Sequence, residues 1–270
     1  MTQSSPDVRP RPIDEACALI ENRQLAGPLW DMDIQAPHIA SVILPGQFIH
    51  MKVPGMDGRI LRRPFSVYEA DVDKGILRVL YQVVGKGSAH MTTLAPEKTD
   101  AFSVMGPMGN PWWLPEGAKR VLFVLGGVGA APLAMFGQQV VQAGMHLDVC
   151  MGAQTKDALV MKTYYEDVVG VEPVCATDDG TYGHAGFVTE PAAGLLREND
   201  YDLVCCCGPE PLMRIVAGMA ADADVPCQVS LEKRMACGIG ACLSCVVDTV
   251  DGRKRSCVDG PVFDARKVVW

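Results

Sequence analysis

The sequence predicts a multidomain β plus α/β protein: an antiparallel β-barrel, a doubly wound parallel α/β domain and a small cysteine-bearing C-terminal domain. Three observations carry this expectation. Short alternating segments separated by Pro and Gly fill the first part of the chain. Beyond residue 110 the pattern changes to apolar strands alternating with helical segments. The last part holds Cys237, Cys242, Cys245 and Cys257. The 270 residues suffice for two compact domains and an appendage. The expected divisions are 1–110, 111–225 and 226–270.

In the first part, Leu29–Gln35 places Trp30, Met32 and Ile34 against Asp31, Asp33 and Gln35, the period of a half-buried strand. Gly46–Val53 and Gly75–Val84 are further strand candidates, and several short strands at this spacing predict a small antiparallel barrel. Two stretches carry chemistry. In Arg62-Arg63-Pro64-Phe65-Ser66, arginine suits a phosphate and a serine hydroxyl or backbone N–H suits a ring edge; a strand start with surface charge explains the same residues. In Gly85-Lys86-Gly87-Ser88-Ala89, glycines free backbone N–H groups to face an anion, although Gly turns after strands are common. The two stretches strengthen each other. Met105–Asn110 reads as a turn and closes the segment.

The second part opens with the strand Arg120–Leu125, the loop Gly126-Gly127-Val128-Gly129-Ala130-Ala131-Pro132 and a helix over Leu133–Ala143. Such a loop can approach a dinucleotide pyrophosphate; close strand–helix packing explains Gly126, Gly127 and Gly129 as well. The alternation continues with strands at Leu147–Met151, Pro173–Thr177 and Asp202–Cys207. Helices are expected over Lys156–Val169, Thr189–Arg197 and Pro211–Ala221, the last with Leu212, Ile215, Val216 and Met219 on one face. Ligands bind such sheets at the carboxyl ends of the strands, where Gly126–Pro132 and Cys207-Gly208-Pro209 both fall. Cys205 and Cys206 read as strand core. Cys207 stands at the strand end, as core or against a nicotinamide ring. None of the five histidines forms a ligand pair at helical spacing, and none receives a role.

The third part begins with a strand over Pro226–Glu232. Cys237, Cys242 and Cys245 follow as C-x4-C-x2-C, the plant-type spacing for a [2Fe–2S] cluster. Zinc sites usually arrive as two separated C-x2-C knuckles, so the spacing favours the cluster. Small residues between the ligands fit a chain wrapped around an inorganic core. Cys245–Val250, an Asp251-Gly252 turn and Arg255–Cys257 form a hairpin that returns Cys257 as the fourth ligand.

The net charge of −8 and pI near 5.1 argue against nucleic acid, and no basic cluster longer than Arg62-Arg63 or Arg253-Lys254-Arg255 stands out. The first dozen residues have no apolar core and are not expected to act as a secretion signal. The uncharged run Val121–Gln142 reads as strand, loop and helix rather than a membrane span. Eleven cysteines in such a chain point to a reducing compartment, expected to be the cytoplasm.

The motif order Arg63-Pro64-Phe65-Ser66, Gly87-Ser88, Gly126–Leu133 and Cys207-Gly208-Pro209 resembles the ferredoxin–NADP reductase superfamily. The run Leu231–Cys242 and the segment Cys257–Phe263 resemble the electron-transfer subunits of class 1B dihydroorotate dehydrogenases. The resemblance spans nearly the whole chain. It implies FAD in the barrel, NAD(H) on the α/β domain and a [2Fe–2S] cluster in the tail. By position, Arg63, Pro64, Phe65 and Ser66 match the flavin-ring and phosphate segment. Leu80, Tyr81 and Gln82 match a second flavin strand, and Gly87 and Ser88 the pyrophosphate turn. Phe65 departs from the stacking Tyr common in the superfamily; a ring remains without its hydroxyl. The implied reaction couples dihydroorotate oxidation on an FMN-bearing partner to NAD reduction, in a heterotetramer of two subunits of each kind. No general acid or base is assigned to this chain. The resemblance extends to small subunits of ferredoxin-dependent transhydrogenases and sulfide dehydrogenases; a zinc-binding interaction module is the alternative from another class.

Overall fold

The computed structural model describes residues 12–56 and 58–270. The stretch expected not to act as a secretion signal lies almost wholly outside the described residues.

Six strands close a barrel: β1 (Ile13–Ala26), β2 (Leu29–Gln35), β3 (Phe48–Met51), β4 (Arg63–Asp71), β5 (Ile76–Gln82) and β6 (Phe102–Met108). Their order is β1-β2-β5-β4-β3-β6, antiparallel throughout. Alternation explains the faces. On β3, Ile49 and Met51 enter the barrel core with Met32, Ile34 and Val104. Phe48 instead joins an outer cluster with Met108, Cys245 and Cys257. Two short helices, α1 (Pro37–Ala40) and α2 (Lys86–Met91), follow β2 and β5.

The first strand, β1, did not stand out in the sequence, because Ala16, Ala18 and Ile20 face outward while Glu15 faces in. Glu15 is nonetheless satisfied, accepting from the Ile39 N–H at 3.1 Å and the His38 N–H at 3.2 Å. Met105–Met108 is strand rather than turn, with Gly106 opposite Ile13. The bend begins at Gly109, whose φ is +78°.

The second body is a seven-stranded sheet. Its elements are β7 (Arg120–Gly126), α3 (Ala131–Gln142), β8 (His146–Ala153), α4 (Lys162–Tyr164), β9 (Val174–Thr177), β10 (His184–Ala185), α5 (Thr189–Glu198), β11 (Leu203–Cys207), α6 (Glu210–Asp222) and β12 (Cys227–Ser230). A hairpin, β13 (Val246–Thr249) and β14 (Gly252–Arg255), precedes β15 (Val262–Asp264). The sheet order is β10-β9-β8-β7-β11-β12-β15, parallel except where β15 runs against β12. The cysteine loop and hairpin therefore lie between two neighbouring strands of this sheet. Apolar cores fill both faces, as a buried parallel sheet requires.

The expected helix over Lys156–Val169 begins only at Lys162 and ends in a π-helical turn at Tyr165–Val169, because Leu159 leaves the helical region at ψ 43°. On α6 the buried stripe is Met213, Val216, Ala217 and Ala220, one step round from the expected face, and Ile215 faces solvent. Alanines inside and an isoleucine outside hide that stripe from a hydrophobicity reading. The return strand β14 is earlier than expected, and Cys257 sits in the turn after it. The uncharged run Val121–Gln142 resolves into β7, a tight turn and α3. Among the described residues no helix is long and apolar enough to cross a membrane.

Candidate functional site

A cleft of about 580 Å3 lies where the barrel meets the first turn of the sheet domain. Its barrel wall is Arg63–Ser66 of β4, Leu80–Gln82 of β5 and the Gly85–Ser88 turn before and into α2. Its other wall is Val128, Ala131 and Pro132. All barrel residues assigned from the resemblance thus meet in one place. The β2–β5 and β4–β5 pairings bring them together, with Val67 opposite Val79 and Trp30 opposite Tyr81.

The polar parts of this cleft are held ready. The Arg63 guanidinium donates to the Leu61 carbonyl at 2.8 Å, and a Cβ on Gly87 would stand 3.2 Å from Arg63 Nε. Glycine therefore lets backbone and guanidinium approach the same volume, the arrangement a pyrophosphate needs. The Ser88 hydroxyl accepts the Val84 N–H at 2.9 Å and fixes the turn. Phe65 meets Tyr81 edge-on, with ring centroids 6.2 Å apart. These residues fit a flavin with its phosphates. Sequence reasoning did not single out Glu232, an exposed residue that borders the same cleft.

The glycine loop is a packed junction. A Cβ on Gly129 would overlap the Cys207 carbonyl, and one on Gly126 would stand 2.9 Å from Pro209 Cδ. Gly208 in turn lies close over Gly126. Gly126, Gly129, Cys207, Gly208 and Pro209 thus bring the carboxyl ends of β7 and β11 together, where parallel sheets bind ligands. Gly127 has a φ of +55° and open space beside it. The Cys207 thiol is buried and donates weakly to the Ser230 carbonyl at 3.7 Å; burial raises its pKa strongly.

The cysteine loop lies against the barrel. Cys245 and Cys257 are buried beside Phe48 and Met108. Burial and a contact with Cys245 push the Cys257 thiol up to about 12. Cys242 is exposed, and its N–H points at Cys237 Sγ at 3.4 Å. Burial opposes ionisation of Cys237, but the N–H groups of Cys242, Ile239 and Ala241 outweigh it and hold the thiol at about 7. Among the described residues no three His, Cys, Asp or Glu side chains gather around one ion. Cys237 meets Cys242, and Cys257 meets Cys245 and lies near Cys237, so one loop and the turn after the hairpin gather the four thiols that a [2Fe–2S] cluster needs. Arg255 braces the loop, bonding the Gly240 carbonyl at 3.3 Å and Asp259 at 3.0 Å.

Between cleft and cysteines stands β3. In its register with β4, Phe48 lies opposite Ser66 and His50 opposite Pro64. His50 is fully buried, and neither ring nitrogen has a hydrogen-bond partner among the described residues. An unmet buried polar group costs about 1–3 kcal/mol. Burial first, and then Arg62 and Arg63, lower its pKa to about 4, so the imidazole is neutral near pH 7.

A barrel and a parallel sheet closing on one cleft, with a cysteine loop against the barrel, define a ferredoxin-reductase-type electron-transfer protein. The comparisons give the family. Residues 232–269 match the iron-sulfur cluster binding domain of dihydroorotate dehydrogenase B. The dihydroorotate dehydrogenase B (NAD(+)) electron transfer subunit of Desulforamulus reducens is 37% identical over 88% of this chain and 92% of its own length. That of Bacillus caldolyticus is 35% identical over 94% and 98%. The structure of an NADH-dependent reduced ferredoxin-NADP oxidoreductase superposes with a TM-score of 0.86 and 30% identity, over 95% of this chain and 90% of that one. Phthalate dioxygenase reductase shares the fold, with a TM-score of 0.63, 16% identity and coverage of 88% and 87%. This chain belongs to the family of dihydroorotate dehydrogenase B (NAD(+)) electron transfer subunits.

Proposed function

We propose that this chain carries electrons between NAD(H) and an FMN-containing dihydroorotate dehydrogenase subunit, through FAD and a [2Fe–2S] cluster. The observation that carries the reading is the position of β3. One neighbour, β4, lines the cleft; its own outer face meets the cysteine loop. When bound, the flavin exchanges hydride for single electrons and the cluster passes single electrons onward.

The chain's own residues position and shield. Arg63 and the Gly87-Ser88 turn hold the flavin phosphates, and Pro64, Phe65, Ser66, Leu80, Tyr81 and Gln82 hold its ring. Gly126, Gly127, Gly129, Cys207, Gly208 and Pro209 form the floor on which the nicotinamide nucleotide lies. Cys237, Cys242, Cys245 and Cys257 hold the irons, with Cys242 towards solvent and the partner. No side chain is assigned proton transfer. In these terms 1–110 is the flavin unit, 111–225 the nucleotide unit and 226–270 the cluster unit. The assembly is a cytoplasmic heterotetramer of two subunits of each kind.

The test is co-expression with a candidate FMN subunit, sizing of the complex and a dihydroorotate:NAD assay. Orotate formation coupled to NADH is expected. Oxidation of NADH with artificial acceptors, but no orotate from any such complex, would reject the pyrimidine role. The likeness to the NADH-dependent reduced ferredoxin-NADP oxidoreductase supports a second reading, a transhydrogenase small subunit. Transfer to ferredoxin in that experiment would favour it.

A further inference from the structure

Among the described residues, His50 is the buried side chain between cleft and cysteines whose hydrogen-bonding groups are unused. It lies on the outer face of β3 with Phe48, which packs on Cys245 and Cys257. Its ring packs on the loop at Gly238, the residue after Cys237. A Cβ there would stand 2.7 Å from His50 Nδ1 and 3.2 Å from Cε1. Gly238 also has a φ of +71°, so the loop has turned its bare backbone towards the ring. The His50 carbonyl accepts from Arg62 Nη1 at 3.3 Å, which fixes the strand while leaving the imidazole free. Protein groups satisfy the comparable buried residues nearby: Gln47 donates to the Gly109 carbonyl at 2.8 Å, and Ser256 to the Leu231 carbonyl at 2.9 Å. A fully buried donor without a protein acceptor, set against the loop that holds sulfur, has a sulfur as its natural acceptor.

We propose that His50 is a positioning residue for the iron–sulfur site: its ring N–H donates to a sulfur of the group held by Cys237, Cys242, Cys245 and Cys257 and raises its reduction potential. This rests on reading those cysteines as cluster ligands. The physical basis is that reduction adds negative charge to the sulfurs, so a donated N–H stabilises the reduced form more than the oxidised one. The residue would set how readily the cluster accepts an electron, without taking part in the transfer.

The test uses the purified holo-protein and the variants His50→Leu and His50→Gln. Iron and sulfide content come first; wild-type protein without either would defeat the underlying cluster reading, and the proposal with it. With clusters loaded, anaerobic redox titration followed by electron paramagnetic resonance reads the potential. His50→Leu is expected to lower the ratio of reduced to oxidised cluster at the wild-type midpoint about tenfold, equivalent to about 59 mV for one electron. His50→Gln, which keeps an N–H, is expected to recover most of that shift. A loaded His50→Leu protein with an unchanged potential overturns the proposal. Should His50→Leu not fold, pulsed resonance on the wild type with 15N-labelled histidine decides. Nitrogen coupling to the reduced cluster that disappears in His50→Gln supports the hydrogen bond. Absence of coupling in the wild type rejects it.

Discussion

A single methyl group at Gly129 would collide with the Cys207 carbonyl across the junction of β7 and β11. Backbone cannot yield there as a flexible side chain would. Gly129→Ala is expected to destabilise the protein by about 1–3 kcal/mol, read from urea denaturation. Gly218→Ala, in α6 with open space beside it, is expected to stabilise by roughly 0.5–1 kcal/mol. If both substitutions shift stability alike, the close-approach account of Gly129 is wrong. For Cys242→Ser, we expect loss of cluster absorbance and of transfer to the partner, while NADH still reduces the flavin. Equal loss of both activities would contradict the proposed order of carriers. The cleft residues were legible in the sequence because each motif is local: Arg63–Ser66 and Gly87-Ser88 carry their chemistry within a few residues. His50 was not legible. Its significance comes from Gly238, far along the chain, and no local pattern marks a histidine whose partner is supplied by another loop. Glu232 was missed for the same reason: it acquires its place only once β12 is seen to end at the cleft.

At the scale of elements, strands with polar outer faces declared themselves and the others did not. The alternation in β2 is plain, yet the strand is not half-buried: Asp31 and Asp33 are buried too, beneath Arg23 and Arg78. In β1, apolar residues outside and a carboxylate inside mask the period. The helix α6 was found, but its buried stripe was misplaced by one step because its inner residues include Ala217 and Ala220. Pairing between distant strands adds a prediction that no single segment contains. Asp202 accepts the N–H groups of Lys119 and Arg120 at 2.7 and 2.9 Å, tying the start of β11 to the start of β7. These two backbone donors hold its carboxyl below the usual range. Its folded pKa is therefore lower than the unfolded value of about 3.9. The stability it supplies is present above that value and lost as pH falls through the folded one. Asp202→Asn is expected to flatten this part of the acid limb, seen in urea midpoints collected from pH 6 down to pH 2.5. An unchanged slope would show that the carboxylate is not the source.

For the whole molecule, the relation between barrel and sheet decides whether the two walls of the cleft stay in register. Trp112 is the principal tie. Its backbone N–H donates to the Pro45 carbonyl at 2.9 Å, its indole donates to the Pro132 carbonyl at 2.8 Å, and its ring stacks on Phe136 at 6.0 Å. Trp112→Ala is expected to cost about 3–5 kcal/mol in stability. It should also slow flavin reduction by NADH in stopped-flow measurements while flavin remains bound. An unaltered rate would mean that the tie stabilises without aligning. The second relation is the insertion of the cysteine loop between β12 and β15. Ser230 lies opposite Val262, and the Leu231 N–H bonds the Pro261 carbonyl at 2.9 Å. The chain thus leaves the sheet and re-enters it at the same spot, so the metal-bearing stretch is an insertion with a ready-made splice point, held otherwise by packing on Phe48 and Met108 of the barrel and by Val247 in the sheet's core. Joining residue 231 to residue 261 through a short turn should yield a smaller yellow protein that reduces ferricyanide with NADH and lacks iron, the visible spectrum being the check. By the same geometry, a lineage could acquire or discard the one-electron outlet of such a reductase by a single in-frame event, leaving the nucleotide sheet intact.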